Sequence, residues 1–373
     1  MNRTNQVLER YSLAAHAPQA DLCCPVDYNH ELLAILPAEI IEKDYGCGDP
    51  SRYVRAGDTV LDLGSGGGKV CYLAAQIVGN QGWVIGVDMN DDMLALARRH
   101  QKEMALKLGG DRVRFVKGYI QDLALDLEAT NEYLRKNPTR DAEDLVALQT
   151  FQAQQRAQSP LIHDSSVDVV ISNCVLNLVN ESDRAMMMRE IHRVLKPGGR
   201  VAISDIVSDE IVPTALKSDP ALWSGCISGA YQELELLQAF AAAGFLGIRY
   251  DKWDAKPWRT VAGIEFRSVT LTAIKGGGPC LDFGHAVMYR GPYASIVDDE
   301  GHVFPRGQRM AVCERTFRFL TEGPLKNDFI GTMPAAPHNP PTNWCLPAGT
   351  PRPAAETKGA GHISFCLPDT KCC

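Results

Sequence analysis

The sequence predicts an α/β protein with a mostly parallel sheet, followed by a small β-rich C-terminal domain. From residue 59 onward, apolar runs of strand length such as TVLDLG, WVIGVD and VDVVISN alternate with helical segments. Repeats of strand, helix and strand form right-handed crossovers, which place helices on both faces of a parallel sheet. A glycine-rich turn, VLDLGSGGGK, follows the first strand. These observations together favour a Rossmann-like domain.

Changes in composition divide the chain into segments. Residues 1–58 are expected to form a helical and irregular cap, and residues 59–275 the α/β domain. GGGP at 276–279 indicates a linker. Residues 280–332 predict the β-rich domain: AVMYRGPYASIVDDEGHVFPRGQRMAVCERTFRFLT is expected to form short strands, CERTFRFLT included, joined by DDEG and PRG turns. The Pro-rich, Cys-containing segment 333–373 predicts a tail with little regular structure.

Charge and cysteine content narrow the classes of function. Lys and Arg number 38 against 45 Asp and Glu, so no broad basic surface is expected for nucleic acid. No apolar stretch approaches the roughly 18 residues of a membrane span, and the N-terminus lacks an apolar leader, so we expect a cytoplasmic protein without a membrane partner. The 12 cysteines make up about 3% of the 373 residues, and this share is below the roughly 8% typical of disulfide scaffolds. A reducing compartment would keep most of them as thiols, which leaves thiol chemistry available.

The glycine-rich turn has the features of a nucleoside-binding site. Gly64, Gly66 and Gly68 follow a strand and precede a helix, where glycine permits a tight turn and a close approach to a ligand. Asp88 ends the next strand, where a carboxylate can accept hydrogen bonds from both ribose hydroxyls. The spacing of the third glycine differs from the dinucleotide fingerprint, and an ordinary tight turn is the alternative. Asp62, two residues before Gly64, favours the binding site.

DLGSGGG, the acid ending the second strand, and LKPGG at 195–199 resemble the class I methyltransferases that bind S-adenosylmethionine. The resemblance implies that residues 64–68 surround the amino-acid end of the cofactor, that Asp88 holds the ribose and that Met89 flanks the adenine. The cofactor-binding residues that it implies are Tyr45, Asp62, Gly64, Ser65, Gly66, Asp88, Met89, Ile120, Gln121, Asn173 and Val175.

Several cysteines are candidates for chemistry near that cofactor. Cys174 directly follows the apolar strand VDVVISN, and ligands of open α/β sheets bind beyond the carboxyl ends of the strands. The other candidates are Cys47, Cys226 and the adjacent pair Cys23 and Cys24. Any one of them alone could equally be a small buried hydrophobic residue. We interpret Cys71, inside the helix after the glycine turn, in that way.

Three cysteine motifs extend the resemblance. YGCG at 45–48, SNCVLNLV at 172–179 and WSGCISGA at 223–230 are similar to the motifs of the arsenite S-adenosylmethionine methyltransferases, and the likeness runs from about residue 20 to 275. It implies that three thiolates, Cys47, Cys174 and Cys226, bind trivalent arsenic. It also implies that Cys23 or Cys24 assists as a redox or shuttle thiol, and that glutathione or thioredoxin regenerates the thiols.

The chemistry of trivalent arsenic suits these residues. Three thiolates can replace its hydroxides in a pyramid whose lone pair points toward a sulfonium methyl group, and thiolate is the binding form of cysteine. An in-line methyl transfer then needs little beyond alignment.

Two alternatives to an arsenite methyltransferase remain: a methyltransferase for another soft acceptor (selenium, tellurium or an organic thiol), and a metalloid-binding buffer or sensor without turnover. The histidines and cysteines lack the spacing of a zinc site.

Three departures from the family pattern stand out. Ile120 and Gln121 are expected to contact the adenine, and Gln121 stands where many members carry an acid. LCCP at 22–25 has two cysteines where relatives carry one. Residues 121–165 form an insertion longer than in animal members, and its spacing of apolar and charged residues predicts two helices.

Overall fold

The computed structural model describes residues 3–19, 26–219, 222–223, 225–323, 325–344 and 346–358. The chain divides into two compact units, Met1–Gly276 and Gly277–Cys373. The boundary lies in the GGGP sequence, and the segment interpreted as a cap belongs to the first unit. Within the described ranges, no helix is long and apolar enough to cross a membrane.

The first unit combines strands and helices in alternation. Its described strands are β1 (Thr59–Leu63), β2 (Trp83–Asp88), β3 (Val113–Lys117), β4 (Val167–Asn173), β5 (Leu195–Ser208), β6 (Tyr231–Gln232), β7 (Phe245–Trp253), β8 (Arg259–Val261) and β9 (Ile264–Lys275). Its described α-helices are α1 (Arg3–His16), α2 (His30–Leu33), α3 (Ala38–Glu42), α4 (Lys69–Val78), α5 (Asp91–Arg99), α6 (Gln101–Leu108), α7 (Leu127–Lys136), α8 (Ala142–Gln158), α9 (Glu181–Val194), α10 (Thr214–Lys217) and α11 (Glu233–Ala242).

These strands form one sheet in the order β3-β2-β1-β4-β5-β9-β7. The first five strands in this order, β3, β2, β1, β4 and β5, are parallel to one another. Strand β9 is antiparallel to both β5 and β7. Short strands β6 and β8 pair with β5 and β9. The predicted α/β fold with a mostly parallel sheet is confirmed. Because the strand order reverses between β1 and β4, a crevice opens at the carboxyl ends of these strands, where ligands of such folds bind.

Helices cover both faces of the sheet, which explains the nearly continuous apolar runs of its strands. On one face, buried side chains of α9 and α11 pack against the strands, among them Met187, Ile191, Leu236 and Phe240. On the other face, α3, α4 and α5 contribute buried side chains that include Ile40, Tyr72, Leu73 and Leu94.

The insertion forms the two predicted helices, α7 and α8. The rings of Tyr133 and Phe151 stack between them with their centroids 4.3 Å apart. Arg156 of α8 forms an ion pair with Asp122, at 2.9 Å, which ties α8 to the start of the insertion after β3. No residue of α8 is buried. This helix therefore lies on the surface of the domain.

The second unit is rich in short antiparallel strands, as predicted. Its described strands are β10 (Leu281–Asp282), β11 (Ala286–Tyr289), β12 (Ser295–Val297), β13 (Val303–Pro305), β14 (Arg309–Ala311), β15 (Phe329–Thr332) and β16 (Thr342–Asn343), and its described helices are α12 (Glu314–Glu322) and α13 (Ala354–Lys358). They form the sheet β14-β11-β15 and the pairs β12-β13 and β10-β16.

One expectation for this unit was wrong. The stretch CERTFRFLT was expected to be a strand, but it forms α12. A helix places Thr316, Phe317 and Leu320 on one face, where all three are buried. The tail was expected to have little regular structure, and its described residues form only the two-residue strand β16 and the five-residue helix α13.

Candidate active site

A pocket lies at the carboxyl ends of β1, β2 and β4. All eleven residues predicted to bind the cofactor line it: Tyr45, Asp62, Gly64, Ser65, Gly66, Asp88, Met89, Ile120, Gln121, Asn173 and Val175. Cys174 lines the same pocket, and α1 covers it with side chains that include Leu8 and Tyr11. The structure thus brings the predicted binding residues together, while their individual roles remain predictions.

The glycine turn between β1 and α4 has the backbone conformation that its sequence requires. Gly64, Gly66 and Gly68 have φ angles of 68°, 51° and 87°, which lie in the left-handed region that favours glycine. A Cβ atom on Gly64 would lie only 2.5 Å from Val175, whereas one on Gly66 would meet nothing within 4 Å. The turn is therefore tight at Gly64 and open toward the pocket at Gly66.

This difference yields a paired prediction. Both Gly66→Ala and Gly64→Ala should lose about 1–2 kcal/mol of unfolding free energy, because a left-handed alanine is strained. Gly64→Ala should lose about 1–3 kcal/mol more, because its methyl group overlaps Val175. Urea unfolding of the two variants without ligand measures the difference. Equal losses would show that contact with Val175 places no constraint on the turn.

The acidic residues of the pocket are buried and held by hydrogen bonds. The carboxylate of Asp88 accepts the backbone N–H groups of Gly66 and Asn90, each at 2.8 Å, and burial raises its pKa. Burial likewise raises the pKa of Asp62 to about 7, and the Cys71 thiol donates to this carboxyl at 3.2 Å. Cys71 is fully buried, in agreement with its interpretation as a core residue.

The pocket has polar groups that fit a nucleoside sulfonium ligand. The Ser65 hydroxyl is buried and has no hydrogen-bond partner within the described residues. Asp88 is already positioned, and each carboxylate oxygen can accept more than one hydrogen bond. The apolar side chains of Met89 and Ile120 supply apolar contact surface nearby. A ribose, an adenine and an amino-acid end therefore have complementary groups here.

Asp88→Ala tests the placement of the ribose. Losing the charged acceptor should weaken S-adenosylmethionine binding by about 1.5–3 kcal/mol, which is roughly 10- to 150-fold. Asp91→Ala is the matched control, because Asp91 is an exposed acid three residues away that does not line the pocket. Calorimetry on both variants gives the affinities, and arsenite binding should barely change. An intact affinity in Asp88→Ala would show that the ribose lies elsewhere.

The three predicted cysteine motifs meet beside the pocket. Cys47 and Cys174 are joined by a disulfide bond, and the Cys226 thiol donates to the carbonyl oxygen of Cys174 at 3.3 Å. Their exposed fractions are 1%, 6% and 6%, so all three are buried in one cluster. In this form Cys47 and Cys174 are oxidised, and reduction would convert them to thiols.

Hydrogen bonds fix the loop that carries Cys47. The side-chain oxygen of Asn173 accepts the N–H groups of Cys47 and Gly48, at 2.8 and 3.1 Å, and its amide donates to the Gly48 carbonyl at 2.8 Å. Ser268 donates to the Cys47 carbonyl at 2.6 Å. Asn173 was predicted to contact the cofactor. Its hydrogen bonds also hold the Cys47 loop next to Cys174, the residue that follows Asn173 in the chain.

Two of the cysteines have an unusual backbone conformation. Cys174 and Cys226 have φ angles of 60° and 61°, in the left-handed region. A non-glycine residue costs roughly 1–2 kcal/mol there, and such residues cluster at functional sites. The surrounding hydrogen bonds maintain this conformation. Both cysteines are thus held in orientations that an ordinary turn would not produce.

The cluster also contains two residues that were not predicted from the sequence. Asp205 at the end of β5 has a carboxylate oxygen within 4.8 Å of both Cys47 and Cys174 sulfurs, and burial raises its pKa to about 7. Tyr11 of α1 forms a hydrogen bond with Cys226, and burial raises its pKa. An acid in an apolar strand is rare enough to have indicated Asp205. Nothing in the local sequence indicated Tyr11, because its position depends on how α1 packs.

The upstream pair has a different outcome. Cys23 and Cys24 lie outside the described residues. Their assistance as redox or shuttle thiols therefore stays a prediction.

Comparison with known proteins identifies the class. Residues 55–244 match a family described as a methyltransferase domain, and residues 276–362 match a domain of unknown function, DUF8838. An arsenite methyltransferase of Aquipseudomonas alcaligenes is 33% identical over 78% of each chain, and that of Mus musculus is 29% identical over 89% of this chain and 80% of its own.

A solved structure agrees with these relatives. An arsenic(III) S-adenosylmethionine methyltransferase from Chlamydomonas reinhardtii has a TM-score of 0.54 at 27% identity, covering 88% of this chain and 100% of that one. The fold and the site therefore define an S-adenosylmethionine-dependent methyltransferase, which confirms the predicted enzyme class. More particularly, the chain belongs to the arsenite methyltransferase family.

Proposed function

We propose that this protein transfers methyl groups from S-adenosylmethionine to trivalent arsenic bound by the thiolates of Cys47, Cys174 and Cys226. The observation that carries the proposal is the position of Cys174, which lines the cofactor pocket and also contacts the other two cysteines. A metalloid bound to Cys174 would lie next to the pocket. Family membership supports arsenite as the acceptor.

The protein's own residues would act mainly by binding and orienting. When bound, S-adenosylmethionine supplies an electrophilic methyl group. Asp88 and the glycine turn hold the donor in the pocket, while the loops of Cys174 and Cys226 hold the acceptor. The cluster is buried, which keeps water away from the reacting atoms. Alignment of donor and acceptor then supplies most of the catalysis.

The proposal requires a reductant, because the Cys47–Cys174 disulfide leaves those sulfurs unable to bind arsenic as thiolates. Two thiol equivalents, from glutathione or from the dithiol of thioredoxin, would reduce it by thiol–disulfide exchange and become a disulfide themselves. A cytoplasmic location fits this requirement, since glutathione and thioredoxin maintain thiols there.

Arsenic speciation tests the proposal. Purified protein is incubated with arsenite, a thiol reductant and S-adenosylmethionine, and the products are separated by chromatography. We expect methylated arsenicals and matching consumption of S-adenosylmethionine. Turnover only with a selenium, tellurium or organic thiol acceptor would replace arsenite as the substrate. Arsenite binding without consumption of the donor would instead indicate a buffer or sensor.

A further inference from the structure

The C-terminal unit contains a further pair of thiols, in addition to the cysteines of the proposed active site. The sulfur atoms of Cys280 and Cys313 are 2.9 Å apart, with the Cys280 thiol donating to Cys313, and neither residue is in a disulfide. Cys280 is partly exposed and Cys313 is buried. A ligand from solution can therefore reach the pair through Cys280.

Both thiols are held in place by the fold. Cys313 is the N-terminal cap of α12, a helix of nine residues, and its sulfur lies 3.4 Å from the Thr316 hydroxyl. The Cys280 carbonyl accepts the N–H of Trp344 at 2.8 Å, next to the β10-β16 pair. The two sulfurs come from segments 33 residues apart, so their contact is a product of the tertiary structure.

The surroundings indicate the kind of ligand. Among the described residues, no third His, Cys, Asp or Glu places a ligand atom within 4.8 Å of both sulfurs. A structural zinc ion needs four protein ligands, so this pair does not suit zinc. A trivalent arsenical with one carbon substituent has two exchangeable positions and brings its third group with it. Two thiols in contact match those two positions.

We propose that Cys280 and Cys313 chelate a monosubstituted trivalent arsenical. The product of a first methyl transfer to arsenite joins this class once the thiol reductant of the proposed function supplies two electrons to arsenic and becomes a disulfide. That this protein forms such an arsenical rests on the proposed function. On binding, two As–O bonds break and two As–S bonds form. The two hydroxides leave with the two thiol protons as water, and arsenic remains trivalent. The C-terminal unit would thus retain the partly methylated product on the protein.

The test uses phenylarsine oxide with the full-length chain, without S-adenosylmethionine and under a phosphine reductant that offers no competing thiol. The background variant Cys174→Ser/Cys226→Ser removes two cysteines of the proposed active site. Native mass spectrometry counts adducts whose added mass equals phenylarsine oxide less one water, which is the signature of a two-thiol chelate. Adding Cys280→Ser or Cys313→Ser should each remove one such adduct, whereas Cys345→Ser, a control in the same unit, should not.

Both test substitutions are compatible with folding, because Cys280 is partly exposed and serine is a favoured N-terminal cap at position 313. A second measurement needs no substitution. A short pulse of N-ethylmaleimide should label Cys280 in the wild type, read from the tryptic peptide 276–290. Once the other cysteines of the chain are saturated, one further equivalent of phenylarsine oxide should block this labelling. Dimercaptopropanol should restore it.

An unchanged adduct count in both serine variants, or unprotected labelling of Cys280, would overturn the proposal. So would protection by zinc ions without protection by phenylarsine oxide. Loss of the adduct in Cys345→Ser would also overturn the assignment to this pair. Because no methyl donor is present, a protein that binds phenylarsine oxide here but fails to methylate arsenite would refute only the proposed function.

Discussion

Cys174→Ser and Cys226→Ser should each abolish methylation of both arsenite and methylarsonous acid. We expect the rate to fall at least about a thousandfold, or about 4 kcal/mol of transition-state stabilisation. In the proposed function both residues are ligands that aim the arsenic lone pair at the methyl group, and a hydroxyl is a poor ligand for this soft element. Cys174 lines the pocket, and the Cys226 thiol donates to the Cys174 carbonyl oxygen.

The variants should remain folded and bind S-adenosylmethionine normally, because serine is nearly isosteric with cysteine. Cys71→Ser is the matched control, since Cys71 is buried in α4 and its serine can still donate to Asp62. Rates are measured with each arsenical by chromatography, and cofactor affinity by calorimetry. Substantial turnover by Cys174→Ser or Cys226→Ser would reduce that cysteine to a packing role.

Cys47→Ser should separate the two methylation steps. Arsenite has three exchangeable hydroxides and can bind three thiolates, whereas methylarsonous acid has two. If Cys174 and Cys226 form the inner pair, Cys47 matters only while a third position is open. Cys47→Ser should therefore lose the first methylation, by about a hundredfold or more, and keep much of the second. Both rates are measured under the same reductant.

The double variant Cys23→Ser/Cys24→Ser should show the same selectivity, because a thiol that relays through Cys47 has no role once Cys47 is dispensable. Using the double variant prevents one thiol from replacing the other. The disulfide between Cys47 and Cys174 adds a control: both rates are measured after full chemical reduction, so that redox state does not differ between variants. Equal loss of both methylations in Cys47→Ser would place Cys47 among the inner ligands and exclude the two-plus-one arrangement.

Local sequence patterns were sufficient to predict the sheet, the glycine turn and the pocket that follows them. Strand and helix periods are properties of neighbouring residues, and the left-handed glycines of residues 64–68 are required wherever such a turn occurs. Asp88 then follows at the end of the next strand, so register along the chain placed it in the pocket. The interpretation of CERTFRFLT as strand failed because short apolar runs fit both periods until burial selects one.

What the sequence by itself determined was the order of strands and helices, the turn, and the motifs that carry Cys47, Cys174 and Cys226. Only the tertiary structure decided which distant side chains meet: Asn173 clamping the Cys47 loop, Asp205 beside two sulfurs, Tyr11 against Cys226, and Cys280 in contact with Cys313. The physical reason is that these contacts join segments tens to hundreds of residues apart. Their formation depends on the packing of whole elements, which no local pattern records.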